Sequence, residues 1–359
     1  MRIAQIAPLW ECVPPPAYGG TELIVSLLTD ELVRRGHEVT LFATGDSQTI
    51  ARLEPGSPKP LRALEITHQE AAVYDQMQLS RVFERAKEFD VIHSHIDFPA
   101  LPYASLTKTP VVHTIHGIFT PLVEQMFIRH RQQNFISISH SQRRTELKLN
   151  YVATVYNAIA VDRFEFYPEP EQPPYLAFLG RISPEKGPQV AIEIAKRTGW
   201  HLKMAGKVDP VDRVFFEQEV APLIDGKQIE FLGEANHPQK NKLMGNATAT
   251  LFPITWREPF GLVMPESMAC GTPVIAMAMG SAPEVIVQGQ TGFLCQDLDE
   301  CVAAVDQIAS IDRHACRQHV ENNFNVQRMV DGYEQVYYQV ISDRLDQNGH
   351  LKTPALLNN

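Results

Sequence analysis

Residues 250–276 read TLFPITWREPFGLVMPESMACGTPVIA. The apolar run Thr250–Ile254 has the length and composition of a buried strand. A loop follows, and a helix is expected to begin near Pro265. Gly271 closes it and Pro273 stands just beyond, since proline suits a first helical turn and glycine the position after the last. Pro273–Ala276 then reads as a second strand. Upstream, Tyr175–Leu179, His201–Ala205 and Ile229–Leu232 are strand-like, with helices between them. The first half of the chain repeats the scheme. Arg2–Pro8, Glu38–Ala43, Asp90–His93, Val111–Ile115 and Phe135–Ile138 are apolar runs. Thr21–Arg35 carries a helical stripe of Leu23, Leu27, Leu28 and Leu32, stopped by Gly36. Strand–helix–strand repetition of this kind builds a parallel, doubly wound sheet. The expected fold is therefore α/β, with two Rossmann-like parallel sheets whose carboxyl ends face an interdomain cleft.

The stretch FYPEPEQPPY, Phe166–Tyr175, separates the halves with prolines at 168, 170, 173 and 174. Proline removes a donor and pushes its predecessor toward extended geometry, so the segment reads as a linker. The expected division is residues 1–167, a linker at 168–174, residues 175–328, a terminal helix at 329–345 and a polar tail at 346–359.

A chain of 359 residues with 44% hydrophobic and 21% charged residues has the composition of a globular protein. The net charge of −10 supplies no cationic footprint for nucleic acid. No run approaches the 18 or so apolar residues of a membrane span, and the opening MRIAQIAPLWE lacks the apolar core of a secretory signal. Cys12, Cys270, Cys295, Cys301 and Cys316 are few, odd in number and widely spaced, which argues against a disulfide framework and for a reducing cytoplasm.

Four segments carry chemistry. In REPFGLVMPE (257–266), Glu258 falls in a strand-to-helix loop and Glu266 in the first helical turn. The intervening amides of Phe260, Gly261 and Leu262 then point into the cleft, where amides and a helix dipole suit an anion or a sugar oxygen. Carboxylates that merely complement the dipole are the competing reading. In LGRISPEKG (179–187), Arg181 and Lys186 flank a turn at the end of a strand, an arrangement suited to clamping a diphosphate. Gly19 and Gly20 open a path to backbone amides before the first helix, but G-x-G-x-x-G and its ribose-binding acid are missing, so a dinucleotide fingerprint is rejected. His93, His95, His113 and His116 cluster in two strand ends without a carboxylate or cysteine set to complete a metal site. His93 and His113 suit the core. His116, last before Gly117, suits the cleft.

These segments resemble, in order and nearly end to end, the retaining family 4 glycosyltransferases, which include sucrose synthase, bacterial mannosyltransferases and glycogen-synthase relatives. The resemblance is carried by YGGTE, TIHG, GRISPEKG, REPFGLVMPE running into SMACGTPVIA, GSAPEVI and GQTGFL. It implies the two-domain fold called GT-B, with the acceptor held by the first domain and a nucleotide sugar by the second. It implies that Arg181 and Lys186 bind the donor diphosphate beside Gly20, and that Glu266 takes the ribose hydroxyls. It further implies that Glu258, His116 and the amides of Phe260–Leu262 meet the transferred sugar. One departure is YNAIAVDRF (156–164), where Ala158 replaces the family's usual glycine.

The stretch 15–47, PPAYGGTELIVSLLTDELVRRGHEVTLFATGDS, resembles a cyanobacterial subgroup that glucosylates a pterin. It implies UDP-glucose as donor, a tetrahydrobiopterin hydroxyl as acceptor and an α-glucoside as product. Trp10, Tyr18, Gly19, Phe98 and Phe119 are the candidates for the acceptor side. No cofactor or metal is expected, because side chains supply the cations, and no nucleic-acid or integral-membrane partner is expected. The alternatives are a lipid- or polysaccharide-directed transferase using a UDP- or GDP-sugar, and a nucleotide-sugar epimerase of the same fold. The basic patch that a lipid acceptor would favour (Arg129, Arg131, Arg143, Arg144, Lys148) is interrupted by Glu146.

Overall fold

Short β-rich runs that are buried on both faces need helices on both sides, and that requirement sets the architecture. The computed structural model describes residues 1–17 and 19–347. The first sheet contains β1 (Arg2–Ile6), β2 (Glu38–Thr44), β3 (Arg52–Ser57), β4 (Val91–Ser94), β5 (Val111–Ile115), β6 (Asn134–Ser137) and β7 (Tyr151–Thr154). All neighbours are parallel, in the order β3-β2-β1-β4-β5-β6-β7. The second contains β8 (Tyr175–Leu179), β9 (His201–Ala205), β10 (Ile229–Phe231), β11 (Ala249–Phe252), β12 (Val274–Met277) and β13 (Gly292–Cys295). It is also wholly parallel, ordered β10-β9-β8-β11-β12-β13. The order reverses between β1 and β4 in one sheet and between β8 and β11 in the other. Ligands of open parallel sheets enter at such reversals, outside the carboxyl ends of the strands.

Three strands carry little sequence signal. β3 (RLEPGS) contains Pro55 and Gly56 and survives as an edge strand, where a missing donor is tolerated. β7 and β13 are four residues each and also lie at edges. The helix expected near Pro265 begins at Val263 and runs to Ala269, and Gly271 follows with φ +90°.

The proline-rich segment is not a free tether. Tyr167 N–H donates to Cys270 O (3.0 Å) and Glu171 N–H to Asn246 O (2.9 Å), while the Phe166 ring lies 4.5 Å from that of His314. Residues 166–171 therefore cling to the second domain. The chain crosses earlier: Val155 still donates to Ser137 O of the first sheet, whereas Ile159 donates to Phe324 O of the second unit. The returning chain passes alongside, pairing Asn325 with Ile159. At those two adjacent strands of chain the backbone passes between the domains.

The terminal helix spans Val326–Gln347, longer at both ends than expected. Met329, Val330, Tyr333, Val336, Tyr337 and Val340 pack on Ile24, Leu28 and Leu32 of the first helix, Gly20–Arg34. Arg35 ties the same helix by ion pairs to Asp331 (2.7 Å) and Glu334 (2.5 Å). The tail from residue 348 lies outside the described residues.

Candidate active site

The loops leaving β8, β9 and β11 meet those leaving β1 and β5 around a cavity of about 760 Å³, within the range of ligand pockets. Gly19, Gly20, Thr21, His116 and Gly117 form one wall. Arg181, Lys186, Lys207, Lys240, Glu258, Phe260–Val263 and Glu266 form the other. The walls meet where Gly20 faces Leu262: a side-chain carbon at Gly20 would lie 3.6 Å from Leu262 Cδ1, an ordinary van der Waals contact.

Four cations line the second-domain wall, and each has a carboxylate. Arg181 contacts Glu185, with Asp212 at 3.5 Å and Asp209 at 3.9 Å. Lys186 Nζ lies 2.5 Å from Glu258 Oε2, Lys207 Nζ 3.1 Å from Asp209 Oδ1, and Lys240 Nζ 2.5 Å from Glu266 Oε1. Glu258 and Glu266 are buried, at 8% and 3% exposure. Burying an unpaired carboxylate is costly, and Lys186 and Lys240 give each of the two a countercharge inside the cavity. Trp256 Nε1 donates to the same Glu258 oxygen at 2.7 Å, and its ring lies 5.3 Å from Lys186 Nζ. Arg181, Lys186, Glu258 and Glu266 thus share one cavity, as their places at strand and helix ends implied.

The loop between Glu258 and the helix is braced from behind. Ser281 N–H donates to Glu258 O (3.0 Å), and Ser281 Oγ to Phe260 O (2.6 Å). Gly280 has φ +59°, and a side chain there would come within 2.4 Å of Glu258 N. Only glycine lets the GSAPE turn lie against the loop. Phe260 itself is buried and stacks near Tyr156 and Phe324, so it contributes backbone rather than its ring.

On the opposite wall, His116 follows β5 and is half-buried. Its amide donates to Asp97 Oδ1 at 3.0 Å. Asp97 adopts φ +50°, a strained conformation for a residue with a side chain. Burial raises its carboxyl to about 6 against the opposing pull of the His116 and Gly117 amides. Burial also pushes the His116 imidazole down to about 3, so the ring is neutral at ordinary pH. His116 Nε2 lies 2.9 Å from Nδ1 of fully buried His95. His93 and His113 are buried in the core, as their strand positions implied. Among the described residues no group of three or more His, Cys, Asp or Glu could hold a metal ion.

Trp10, Phe98 and Phe119 do not line the cavity. Phe119 packs on Phe127 (ring centroids 5.0 Å) under the Arg144 guanidinium. Trp10 and Phe98 stand at 38% and 40% exposure outside the lining. Tyr18 lies outside the described residues. Ala17, Gly19 and Ile118, near them in sequence, do line it.

Lys207, Asp209, Lys240 and Asp97 were not singled out from the sequence, whereas His95 stood in its histidine cluster without an assigned role. Lys207 stood in plain view, just past a glycine after β9 as Arg181 is after β8. Lys240 had no local signal, because it meets Glu266 from the separate helix His237–Gly245. Glu22 was also hidden. It is buried in the first turn of the helix Gly20–Arg34, where desolvation, with help from the charge of Glu11, raises its carboxyl to about 7. Arg62 pairs with Glu11 (2.7 Å) and reaches Asp209 of the other domain (3.6 Å).

Two sequence families match consecutive stretches: Glycosyltransferase Family 4 over residues 18–164 and Glycosyl transferases group 1 over residues 162–325. Glycogen synthase of Mycobacterium tuberculosis is 27% identical over 396 residues, 94% of each chain. Sucrose-phosphate synthase from Thermosynechococcus elongatus has the same fold, with a TM-score of 0.78 at 20% identity over 96% of this chain and all of that one. Anabaena HepE in complex with UDP-glucose superposes with a TM-score of 0.72 at 17% identity, again over 96% of this chain and all of the other. Two doubly wound parallel domains closing on a cation-lined cleft define the class: the chain is a glycosyltransferase of the GT-B fold. Its two halves place it with the transferases of the family 4 type. Among the described residues no helix is long and apolar enough to cross a membrane.

Proposed function

We propose that the protein transfers glucose from UDP-glucose, with retention of configuration, to a hydroxyl of a small soluble acceptor, and that this acceptor is tetrahydrobiopterin. The observation that carries the reading is the pairing of Arg181, Lys186, Lys207 and Lys240 with carboxylates inside one cavity, opposite His116. A diphosphate entering this cavity replaces carboxylate partners at Arg181, Lys186 and Lys207. Glu266 accepts from the ribose hydroxyls while Lys240 holds it in place. Glu258 faces the sugar, and the amides of Phe260–Leu262 supply further donors. Preorganised charges of this kind stabilise the leaving diphosphate as the glycosidic bond breaks.

The sugar then carries oxocarbenium character. The acceptor hydroxyl attacks from the face the phosphate leaves, and the phosphate takes its proton, so no covalent sugar–enzyme bond is needed. The UDP-glucose complex of Anabaena HepE supports the donor. The pterin reading rests on the 15–47 stretch. With Trp10, Phe98 and Phe119 out of the wall, the flat ring would lie against Ala17, Gly19 and Gly20 on one side and His116, Gly117 and Ile118 on the other, where Ile118 is 56% exposed. The charge on the diphosphate is met by side chains, so chelation with EDTA should leave turnover unchanged.

The test is a matrix of UDP-, GDP- and ADP-sugars against pterin, sugar and lipid acceptors, with the product anomer read by proton NMR. An α-glucoside of tetrahydrobiopterin made from UDP-glucose supports the proposal. Transfer confined to lipid or polysaccharide overturns the acceptor. Epimer formation from UDP-glucose alone overturns the reaction class.

A further inference from the structure

Behind His116 runs a file of buried polar side chains that no step above uses. Gln5 on β1 is fully buried, and its amide stands between two elements. Its Oε1 lies 3.0 Å from His95 Nε2, and its Nε2 donates to the Tyr337 hydroxyl at 3.0 Å. Tyr337 O–H lies 2.7 Å from His93 Nδ1, His93 Nε2 lies 2.7 Å from Thr114 Oγ1, and Thr114 donates to the Tyr333 hydroxyl at 3.3 Å. Tyr333 and Tyr337 both belong to the terminal helix.

The donor and acceptor inventory gives this file a direction. An amide oxygen only accepts, so His95 must carry its proton on Nε2. Burial holds His95 well below the usual histidine range, so the ring is neutral and its Nδ1 is a bare acceptor. That nitrogen faces His116 Nε2 at 2.9 Å, which must therefore be the protonated one. A neutral His116 then has a bare Nδ1. On the other side the Tyr337 hydroxyl accepts from Gln5 and passes its own proton to His93, which passes one to Thr114. Each group has a single proton to give, so turning the Gln5 amide over reverses every bond and moves the proton to His116 Nδ1.

We propose that Gln5, anchored by Tyr337 of the terminal helix, is a positioning residue that fixes the Nε2–H tautomer of His116 and leaves Nδ1 as an acceptor at the cleft. The consequence for transfer rests on the reading that His116 meets the reacting centre. A bare Nδ1 accepts a hydrogen bond from a sugar or acceptor hydroxyl, whereas Nδ1–H would oppose that hydroxyl with a second donor. Which tautomer a histidine adopts is set by the partner of its other nitrogen, and here the partner is ultimately an amide two residues removed in the file. It also gives the terminal helix a chemical reason, besides its apolar packing, to return to the first domain.

The experiment uses the full chain labelled with 15N-histidine, with long-range proton–nitrogen correlation assigned through a His116→Asn variant. His116 is expected as Nε2–H in the parent protein. In Gln5→Met, and in Tyr337→Phe, which removes a single hydroxyl and guards against a misfolded first variant, the Nδ1–H form should gain population. Glucosyl transfer should fall about 10-fold or more, with UDP affinity close to the parent's, while the buried groups left without partners lower the melting temperature of both variants. A parent His116 protonated on Nδ1, or an unchanged tautomer in both variants, overturns the proposal. A shifted tautomer with unchanged transfer upholds the tautomer lock and removes His116 from the reaction instead, so the two readings fail separately.

Discussion

Arg181 and Lys186 show how a single side chain is tuned by what it touches before substrate arrives. Each already spends its charge on carboxylates, Glu185 and Asp212 for one and Glu258 for the other. On the proposed roles, replacing either by alanine removes a contact to the leaving diphosphate, and it also releases a carboxylate into the cavity. Turnover should fall about 10²- to 10³-fold, and near-parental kinetics in both variants would end the clamp assignment. The two acids should separate by role. Glu266→Gln takes a charge-assisted acceptor from the ribose and should mainly weaken UDP binding in a titration. Glu258→Gln should lower kcat more than UDP affinity, because its partner is the moving sugar. The opposite pattern would exchange the two assignments.

Glu22 makes a pH prediction at the same scale. Its folded carboxyl sits at about 7 through desolvation, above the 4.5 of an exposed glutamate. The folded state is then favoured by the protonated form. That advantage is complete below pH 4.5 and is lost as the pH rises through 7. Glu22→Gln should accordingly stabilise the protein at pH 8, by at most about 3 kcal/mol, and change little at pH 4. Denaturant midpoints at both pH values measure it, and equal shifts at both would refute it.

Between elements, the decisive contacts are those that join segments far apart in sequence. Arg313, buried on the helix Arg313–Asn323, spreads its guanidinium over Tyr167 O (2.7 Å), Ala247 O (2.9 Å), Gly245 O (2.6 Å) and Thr272 Oγ1 (2.6 Å). It pins the proline-rich segment to the second domain. Arg313→Ala leaves several buried acceptors without donors and should cost about 3–5 kcal/mol in chemical denaturation. A loss below 1 kcal/mol would show that the segment is held by its apolar contacts instead. A second clasp joins the domains: Glu284 accepts from the amides of His140 and Ser141 (2.7 Å each) and from Tyr156 O–H (2.9 Å), while Arg257 reaches Ser141 O (2.7 Å). The strands and helices themselves were readable where apolar runs were long. β3, β7 and β13 were not, because an edge strand is chosen by its neighbour's unpaired backbone rather than by its own side chains.

For the whole molecule, function depends on bringing the first-domain wall to the donor. Closure excludes water, which is the competing acceptor. His116→Ala should leave UDP affinity within a few-fold but lower glucosyl transfer about 10²-fold, and it should raise the ratio of hydrolysis to transfer. A lower melting temperature with unchanged partition would mark a purely structural histidine. The chain passes between the domains at the paired crossings near Val155–Ile159 and Asn325, and residues 166–171 are hydrogen-bonded to the second domain.

The sequence by itself determined the two parallel α/β units and the placing of Arg181, Lys186, Glu258 and Glu266 at strand and helix ends of the second. Apolar runs, the glycines at 187, 271 and 280, and the spacing of Glu258 from Glu266 are local properties, and local properties survive in one dimension. The tertiary structure decided the rest. It chose which carboxylate each cation faces, drew Lys240 to Glu266 and Arg62 toward Asp209, and packed Phe119 against Phe127. It placed the crossing between the domains upstream of the prolines, and it put Gln5 and Tyr337, 332 residues apart, within one hydrogen bond. Coulombic pairing and buried hydrogen bonding act through space, so their partners are fixed only once the sheets have stacked and the last helix has crossed back.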